Sequence, residues 1–196
     1  MHFLLDGMLG KLARWLRMIG YECTYMNDCE DRELLTIAKR DSLILLTSDA
    51  ELYRTAVARG IESFLVEGRT ETERLASLAE RYELKLSIDT TISRCPVCGW
   101  QLRETSKGDV ESVVPPATFK VYQTFWVCTN PKCAKVYWQG SHWKRIEQTL
   151  ASAKKILENK KQTKPIARTR RALEPGTGQS ASPIGTASRE QVSRNE

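Results

Sequence analysis

Three aspartates each follow an apolar segment of the kind that forms a buried strand. Asp6 follows the segment 2–5, Asp28 follows the segment 21–26, and Asp49 follows the segment 43–47. If these strands are parallel, their carboxyl ends meet at one edge of a sheet, where α/β folds bind their ligands. Clustered carboxylates repel one another unless a cation neutralises them, and oxygen ligands favour Mg²⁺ or Mn²⁺. The pattern therefore predicts a metal site that activates water for phosphodiester cleavage.

Each aspartate taken alone has a second interpretation. An Asp at the end of a strand commonly caps the helix that follows, and Asp28 or Asp31 would cap the helix predicted at 31–40 in this way. Thr47 and Ser48 fit the orientation of a ligand and ordinary turn chemistry equally well. We favour the metal site because three separate segments lead to the same edge.

Two basic residues accompany the first aspartate. Lys11 and Arg14 lie three residues apart on the helix predicted at 8–19, so their charged groups can reach the same side of the crevice. A cationic pair beside an acidic site suits a substrate that carries phosphate. Without the acids, the same pair would be an ordinary exposed helix face.

Four cysteines form a second chemical pattern. Cys95 and Cys98 are separated by two residues and followed by a glycine, while Cys128 and Cys133 are separated by four. Spacings of two to four residues are typical of zinc ligands, and four thiolates make a closed, structural tetrahedral site. Two disulfides are the alternative, which an intracellular chain disfavours. We expect zinc to supply much of the folding free energy of a module too small for its own core.

The order of elements predicts the fold class. Strand and helix alternate four times within residues 1–88, with helices at 8–19, 31–40, 50–59 and 71–82, which predicts an α/β domain: a parallel sheet covered by helices on both faces. Residues 89–160 are predicted to form a zinc ribbon, with strands at 119–127 and 136–138, mostly buried aromatic side chains and a closing helix from 141. Residues 161–196 are predicted to be a disordered basic tail.

Length and charge limit the function classes. The chain has 196 residues and a net charge of +6, and residues 151–196, with ten Lys/Arg and four Asp/Glu, account for the whole excess. A basic tail suits polyanions but is also common in solvated chain ends. No apolar run approaches the length of a membrane span and the start does not resemble a signal peptide, so we expect a cytoplasmic protein.

Three segments carry a resemblance to a known family. Asp6–Tyr21, Leu45–Asp49 and Tyr137–Trp143 closely resemble the PIN-like RNase domains named for the C-terminal region of the Mut-seven exonuclease. The resemblance runs from about Phe3 to Arg145 and implies a PIN-like fold, a zinc ribbon after it and a metal-dependent ribonuclease activity. The positions that match the family's acidic sites and basic helix are Asp6, Asp49, Asp28, Asp31, Lys11 and Arg14.

These patterns together predict a ribonuclease that uses Mg²⁺ or Mn²⁺ and cleaves single-stranded RNA. In this interpretation Asp6, Asp49 and either Asp28 or Asp31 hold the metal. One alternative is a non-catalytic zinc-ribbon protein associated with RNA, with the ribosome or with other RNA-processing proteins, in which the acids only cap helices. A second alternative is the toxin of a toxin–antitoxin pair.

Overall fold

The computed structural model describes residues 1–163, which contain seven strands and six α-helices. In chain order these are β1 (His2–Leu5), α1 (Gly10–Met18), β2 (Glu22–Tyr25), α2 (Asp31–Arg40), β3 (Ile44–Thr47), α3 (Ala50–Ala58), β4 (Ser63–Leu65), α4 (Glu71–Tyr82), β5 (Leu102–Thr105), α5 (Pro116–Val121), β6 (Phe125–Cys128), β7 (Val136–Tyr137) and α6 (Trp143–Thr163). A 3-10 turn at Gly7–Leu9 precedes α1, and a second lies at Gly108–Val110.

The first four strands form a parallel sheet, as predicted, and the structure shows that their order is β2-β1-β3-β4. Leu5 lies opposite Tyr25 on one side and Leu46 on the other, so β1 is central. The turns after all four strands leave from one side of the sheet, which we call the carboxyl edge. The chain reverses its direction of travel across the sheet between β1 and β3, and such a switch point opens a crevice.

Helices cover both faces of this sheet, which confirms the predicted α/β class. Phe3 and Leu5 pack into a core with α1, α4 and α6, whereas Leu4 packs with α2 and α3 on the other face. All three side chains are fully buried. Strands buried on both faces need apolar residues at every position, which explains the uninterrupted apolar runs of β1 and β3.

The zinc ribbon contains an antiparallel sheet in the order β5-β6-β7. The strand predicted at 119–127 is wrong in its first half, because Pro116–Val121 is helical and the strand begins at Phe125. Proline at the first position of a helix favours helix initiation, and Pro116 occupies that position in α5. The strand β5 was not predicted. The ribbon also has a small apolar core around Phe125, which the prediction of a coreless module had excluded.

The ribbon's aromatic side chains differ in exposure. Phe125 and Trp126 are buried, and Trp138 packs against the core around Phe125. Trp100 departs from the predicted burial, since it is 54% exposed.

The closing helix α6 packs its Leu150 and Ala153 into the core beside α4. It continues to Thr163, so the first three residues of the predicted tail are helical, and the rest of that predicted tail lies outside the described residues. The domain limits at 88 and 160 stay predictions. Within residues 1–163, no helix combines the length and apolar character that a bilayer span requires.

A buried arginine joins the sheet domain to the ribbon. The Arg17 guanidinium donates to the carbonyl of Cys23 from Nε at 3.2 Å and from Nη2 at 3.0 Å. Its Nη1 donates to the carbonyls of Pro96 at 3.3 Å and Val97 at 3.0 Å, both inside the Cys95–Cys98 loop, which we call the zinc knuckle. Arg17 is 6% exposed. One side chain therefore connects α1, β2 and the zinc knuckle.

Replacing this side chain tests the connection. Arg17→Met should lower the free energy of unfolding by about 3 kcal/mol, because buried carbonyls lose charged donors and stay unsatisfied. Arg14→Met, an exposed change on the same helix, should alter it by less than about 0.5 kcal/mol. Urea denaturation of the zinc-loaded chain measures both, and equal effects of the two substitutions would contradict the role given to Arg17.

Candidate active site and metal centre

Asp6 lies at the end of β1 with its carboxylate held in place. Its Oδ1 accepts a hydrogen bond from the backbone N–H of Met8 at 2.9 Å. Its Oδ2 accepts one from the hydroxyl of Thr47. The residue is 5% exposed. The 3-10 turn that begins at Gly7 thus presents a buried, oriented carboxylate at the carboxyl edge.

Thr47, the last residue of β3, links two acidic turns. Its hydroxyl donates to Asp6 and accepts the backbone N–H of Asp49 at 2.9 Å, and the residue is fully buried. From the sequence its role was open between ligand orientation and turn chemistry. The structure shows the turn chemistry, because the hydroxyl oxygen accepts the Asp49 N–H, and the same hydroxyl also bonds to Asp6. Orientation of a ligand by Thr47 stays a prediction. The hydroxyl of Ser48 is used differently, donating to the carbonyl of Val66 at 3.2 Å.

Asp49 caps α3, so the capping interpretation of this residue is correct. Its Oδ1 accepts the backbone N–H groups of Glu51 at 2.6 Å and Leu52 at 3.1 Å. The residue is exposed, and its Oδ2 accepts no hydrogen bond from the part of the chain that the structure describes. Capping occupies one carboxylate oxygen and leaves the second available to a ligand.

Asp28 and Asp31 lie on the other side of β1, after β2. Both are exposed. Asp28 has a positive φ of 58°, and its Oδ2 accepts a hydrogen bond from the Asn27 amide at 2.7 Å. Neither residue caps α2, because the N-cap position is Glu30 and no side chain bonds there. The prediction that Asp28 or Asp31 caps this helix is therefore wrong, and the choice between them as metal ligand stays open.

The acidic residues are more widely spaced than the cysteines. Among residues 1–163, the cysteines alone form a group of three or more potential metal ligands whose ligand atoms all lie within 4.8 Å of one another. Asp6, Asp28 and Asp49 do not form such a group. Mg²⁺ is commonly held by one or two carboxylates together with waters and substrate phosphates, so it does not require a tight triad. Thr47 links Asp6 to the backbone of Asp49 through its hydroxyl.

A basic cleft of about 650 Å³ opens beside the Asp6 turn. Lys11 and Arg14 line it together, and both are exposed. Arg69 and Arg74 line it from the loop after β4 and from α4, and the sequence analysis missed them. Their signal was present, because Arg69 follows the fourth predicted strand and must emerge at the same carboxyl edge. The sequence analysis predicted basic residues only on the first helix, so it did not include Arg69.

Hydrogen bonds fix the loop that carries Arg69. The Oε2 of Glu73 accepts the backbone N–H of Arg69 at 2.7 Å and of Thr70 at 3.2 Å, while the Thr70 hydroxyl accepts the Glu73 N–H. The N–H donors of Arg69 and Thr70 hold the pKa of Glu73 below its usual value. This reciprocal pair is a capping box, which starts α4 and sets the path of the loop.

Tyr25 supports the opposite wall of the cleft. Its hydroxyl donates to the carbonyl of Gly7 at 3.0 Å. A Cβ atom at Gly10 would lie 2.9 Å from that hydroxyl, so a larger residue there would push the Tyr25 ring away. The phenol therefore buttresses the turn that follows Asp6.

The cysteines of the ribbon form a compact group suited to zinc. The Sγ atoms of Cys95 and Cys133 are 3.8 Å apart, and those of Cys98 and Cys128 are 3.4 Å apart. Tetrahedral coordination with Zn–S bonds of about 2.3 Å places sulfurs about 3.8 Å apart. All four are free thiols in the structure, which does not contain the alternative disulfides.

Neighbouring donors favour the thiolate of Cys95. The hydroxyl of Tyr137 lies 3.1 Å from its Sγ. Burial raises the pKa of Cys95, but hydrogen bonds from Tyr137 and from the backbone N–H groups of Cys98 and Val97 outweigh it and lower the pKa to about 7. A thiolate is the form that binds zinc, so these donors prepare the ligand.

Comparison with known proteins decides the family. The family model described as Mut7-C RNAse domain matches residues 1–150. The chain belongs to that family. Its Mut7-C RNAse domain spans the four aspartates, the basic cleft and all four cysteines, and an RNase domain implies a nuclease whose substrate is RNA. No curated protein and no solved structure matches the chain.

Zinc content tests the cysteine site of the Mut7-C RNAse domain. The purified chain should hold about one zinc ion, and Cys128→Ser should lose most of it because three thiolates close the tetrahedron incompletely. Cys29→Ser is the matched control, since Cys29 lies outside the group, and it should retain zinc. Elemental analysis of the three proteins measures this, and equal zinc in both variants would contradict the assignment.

Proposed function

We propose that this protein is a Mg²⁺- or Mn²⁺-dependent ribonuclease that hydrolyses RNA phosphodiester bonds. The observation that carries the proposal is the state of Asp6. Its carboxylate is 5% exposed and accepts two hydrogen bonds, yet it forms no salt bridge within residues 1–163. A buried carboxylate is costly unless a cation compensates it, and a metal ion is the partner that oxygen donors at this position suit.

Asp6 and Asp49 are the residues that would hold the ion, with Asp28 or Asp31 contributing from the far side of β1. A bound Mg²⁺ or Mn²⁺ lowers the pKa of a coordinated water and neutralises charge on phosphate oxygens. Thr47 orients Asp6 for this role through its hydroxyl. The donor set consists of carboxylate oxygens, which favours these hard cations over zinc.

The basic side chains of the cleft act on the substrate. Hydrolysis forms a bond from a water oxygen to phosphorus and breaks the bond from phosphorus to one nucleoside oxygen. Lys11 and Arg14 stand beside the Asp6 turn and would bind the phosphate oxygens whose negative charge grows as these bonds change. Binding the phosphate also holds the scissile bond near the acids.

The alternative is a non-catalytic RNA-binding protein. The observations in its favour are the N-cap that Asp6 makes for the 3-10 turn and the N-cap that Asp49 makes for α3. In that case Asp49 stabilises α3 and does no chemistry. Asparagine caps helices about as well as aspartate but lacks the charge, so a single substitution separates the two roles.

Asp6→Asn and Asp49→Asn should each reduce cleavage at least about 100-fold while the chain stays folded, because each removes a charge that compensates the metal. The measurement is cleavage of a fluorescently labelled single-stranded RNA with Mn²⁺. Omission of Mn²⁺ is preferable to EDTA, which would also remove structural zinc.

Asp41→Asn is the matched control, since Asp41 is an exposed aspartate at the end of α2 and pairs with Arg40. The Asp41→Asn variant should cleave the RNA at the same rate as the parent chain. Undiminished cleavage by Asp6→Asn or Asp49→Asn would contradict the assignment, and a parent chain that binds RNA without cutting would favour the alternative.

Thr47 is a positioning residue, and its hydroxyl can be removed with little change in shape. Thr47→Val should lower kcat about 10- to 100-fold with little change in KM, because Asp6 loses its orienting donor and the Asp49 N–H loses its acceptor. Thr47→Ser restores the hydroxyl and should recover most of the activity. Steady-state kinetics of both variants measure the effect. If serine and valine proved equally damaging, the loss would come from packing and not from the hydrogen bond.

A further inference from the structure

We propose that the basic cleft binds an unpaired stretch of RNA, with its phosphates on Lys11, Arg14 and Arg69 and its bases against Met8 and Val97. This inference rests on the proposed function, in which RNA is the substrate. It adds Arg69, Met8 and Val97 to the residues that bind the RNA. The zinc ribbon then contributes directly to substrate binding, since Val97 belongs to the zinc knuckle.

Three separate parts of the chain line the cleft. The helix α1 contributes Lys11 and Arg14, the loop before α4 contributes Arg69, and the zinc knuckle contributes Val97. Met8, in the turn directly after Asp6, lies on the same cleft. A ligand that fills the cleft therefore contacts the sheet domain and the ribbon together and lies beside the turn that follows Asp6.

The charges of the cleft select an anion. Within residues 1–163, Lys11, Arg14 and Arg69 form no salt bridges. The other two cations are already engaged: Arg74 pairs with Glu71 at 3.1 Å, and Arg17 binds backbone carbonyls. Three exposed cations, two on α1 and one in the loop before α4, are therefore available to bind successive phosphate groups of one strand.

The apolar residues select an unpaired strand. Met8 is 69% exposed and Val97 is 51% exposed, and both lie on the cleft with the cations. An anion without apolar surface would gain nothing from them. In a duplex the base faces are stacked and paired, and the outer surface is phosphate and sugar. Unpaired nucleotides offer both a phosphate and an apolar base face, which matches the two kinds of wall.

The walls are fixed before a ligand binds. Hydrogen bonds from Arg69 and Thr70 to Glu73 hold the loop that carries Arg69. The bonds from Arg17 to the carbonyls of Pro96 and Val97 hold the zinc knuckle against α1. A preformed site loses less conformational entropy on binding than one that must close around its ligand.

Binding can be measured separately from cleavage. The full chain, loaded with zinc and without added Mg²⁺ or Mn²⁺, is titrated into a fluorescein-labelled uridine decamer, and anisotropy gives the dissociation constant over a series of salt concentrations. Arg69→Ala should weaken binding and reduce the slope of log K against log salt by about 0.7, the value for one phosphate contact on a single strand.

The matched control is Arg59→Ala, because Arg59 is an exposed arginine at the C-terminal end of α3, whereas the carboxyl edge lies at the helix start. It should leave the slope within error of the parent value. Equal slopes for Arg69→Ala and the parent would overturn the placement of phosphate on Arg69.

The apolar wall is tested with a pair of valines of almost equal exposure. Val97→Ser should weaken binding of the decamer about fourfold, the factor that corresponds to losing the burial of one methylene group. It should leave binding of a ten-base-pair RNA duplex unchanged. Val57→Ser, at a valine on α3 that is 53% exposed, should change neither. An unchanged decamer affinity for Val97→Ser, or an equal loss for the duplex, would overturn the inference.

The two proposals fail in different ways. A parent chain that binds the decamer through Arg69 and Val97 but does not cut RNA with Mn²⁺ refutes the nuclease and keeps the cleft. A chain that cuts RNA although neither Arg69→Ala nor Val97→Ser affects binding refutes the cleft and keeps the nuclease. Zinc content and the circular dichroism spectrum of each variant establish that it is folded.

Discussion

The parallel pairing of β1 with β3 is the constraint on which the candidate site depends. With Leu5 opposite Leu46, the next residues along both strands are Asp6 and Thr47, and both chains turn away from the sheet at the same edge. If β3 ran antiparallel, Asp49 would emerge at the other end of a four-residue strand, about 13 Å away. The hydroxyl of Thr47 then needs only its one proton and one lone pair to join Asp6 to the Asp49 turn.

Two ionisable side chains, Asp6 and Arg17, are buried, and neither has an ionic partner within residues 1–163. Asp6 receives hydrogen bonds from a hydroxyl and a backbone N–H, and Arg17 gives hydrogen bonds to backbone carbonyls. For Arg17 the zinc knuckle would supply nearby compensation, because four thiolates around a Zn²⁺ ion would carry a net negative charge. For Asp6 the proposed compensation is a hard cation. The helix α1 begins four residues after Asp6 and carries Arg17, so one helix connects the candidate active site to the zinc knuckle.

Much of the fold could be predicted because its signals are local and repeated. The helices α2 and α4 match their predicted bounds, since each has a clear apolar face and α4 has a capping box at Thr70 and Glu73. The strand predicted at 119–127 was wrong in its first half because a six-residue helix is too short to show helical periodicity. The residues there alternate as those of a strand do. The parallel topology followed from the alternation of elements along the chain.

For the candidate site, the sequence predicted which strand ends carry the acidic residues but not the distances between them. Topology places Asp6, Asp28 and Asp49 on one edge, but their separations depend on turn conformations such as the positive φ of Asp28, which has no reliable sequence signal. The dual role of Thr47 needed coordinates for the same reason. Arg69 was accessible from sequence, and it was missed because the sequence analysis predicted basic residues only on the first helix.

The most direct test of the central claim is anomalous diffraction from crystals of the full chain grown with Mn²⁺ and recorded at both the manganese and the zinc edges. The account predicts a manganese peak at the carboxyl edge, coordinated by oxygens of Asp6 and Asp49, together with a separate zinc peak among the four cysteines. A zinc peak among the cysteines with no manganese bound to Asp6 would contradict it.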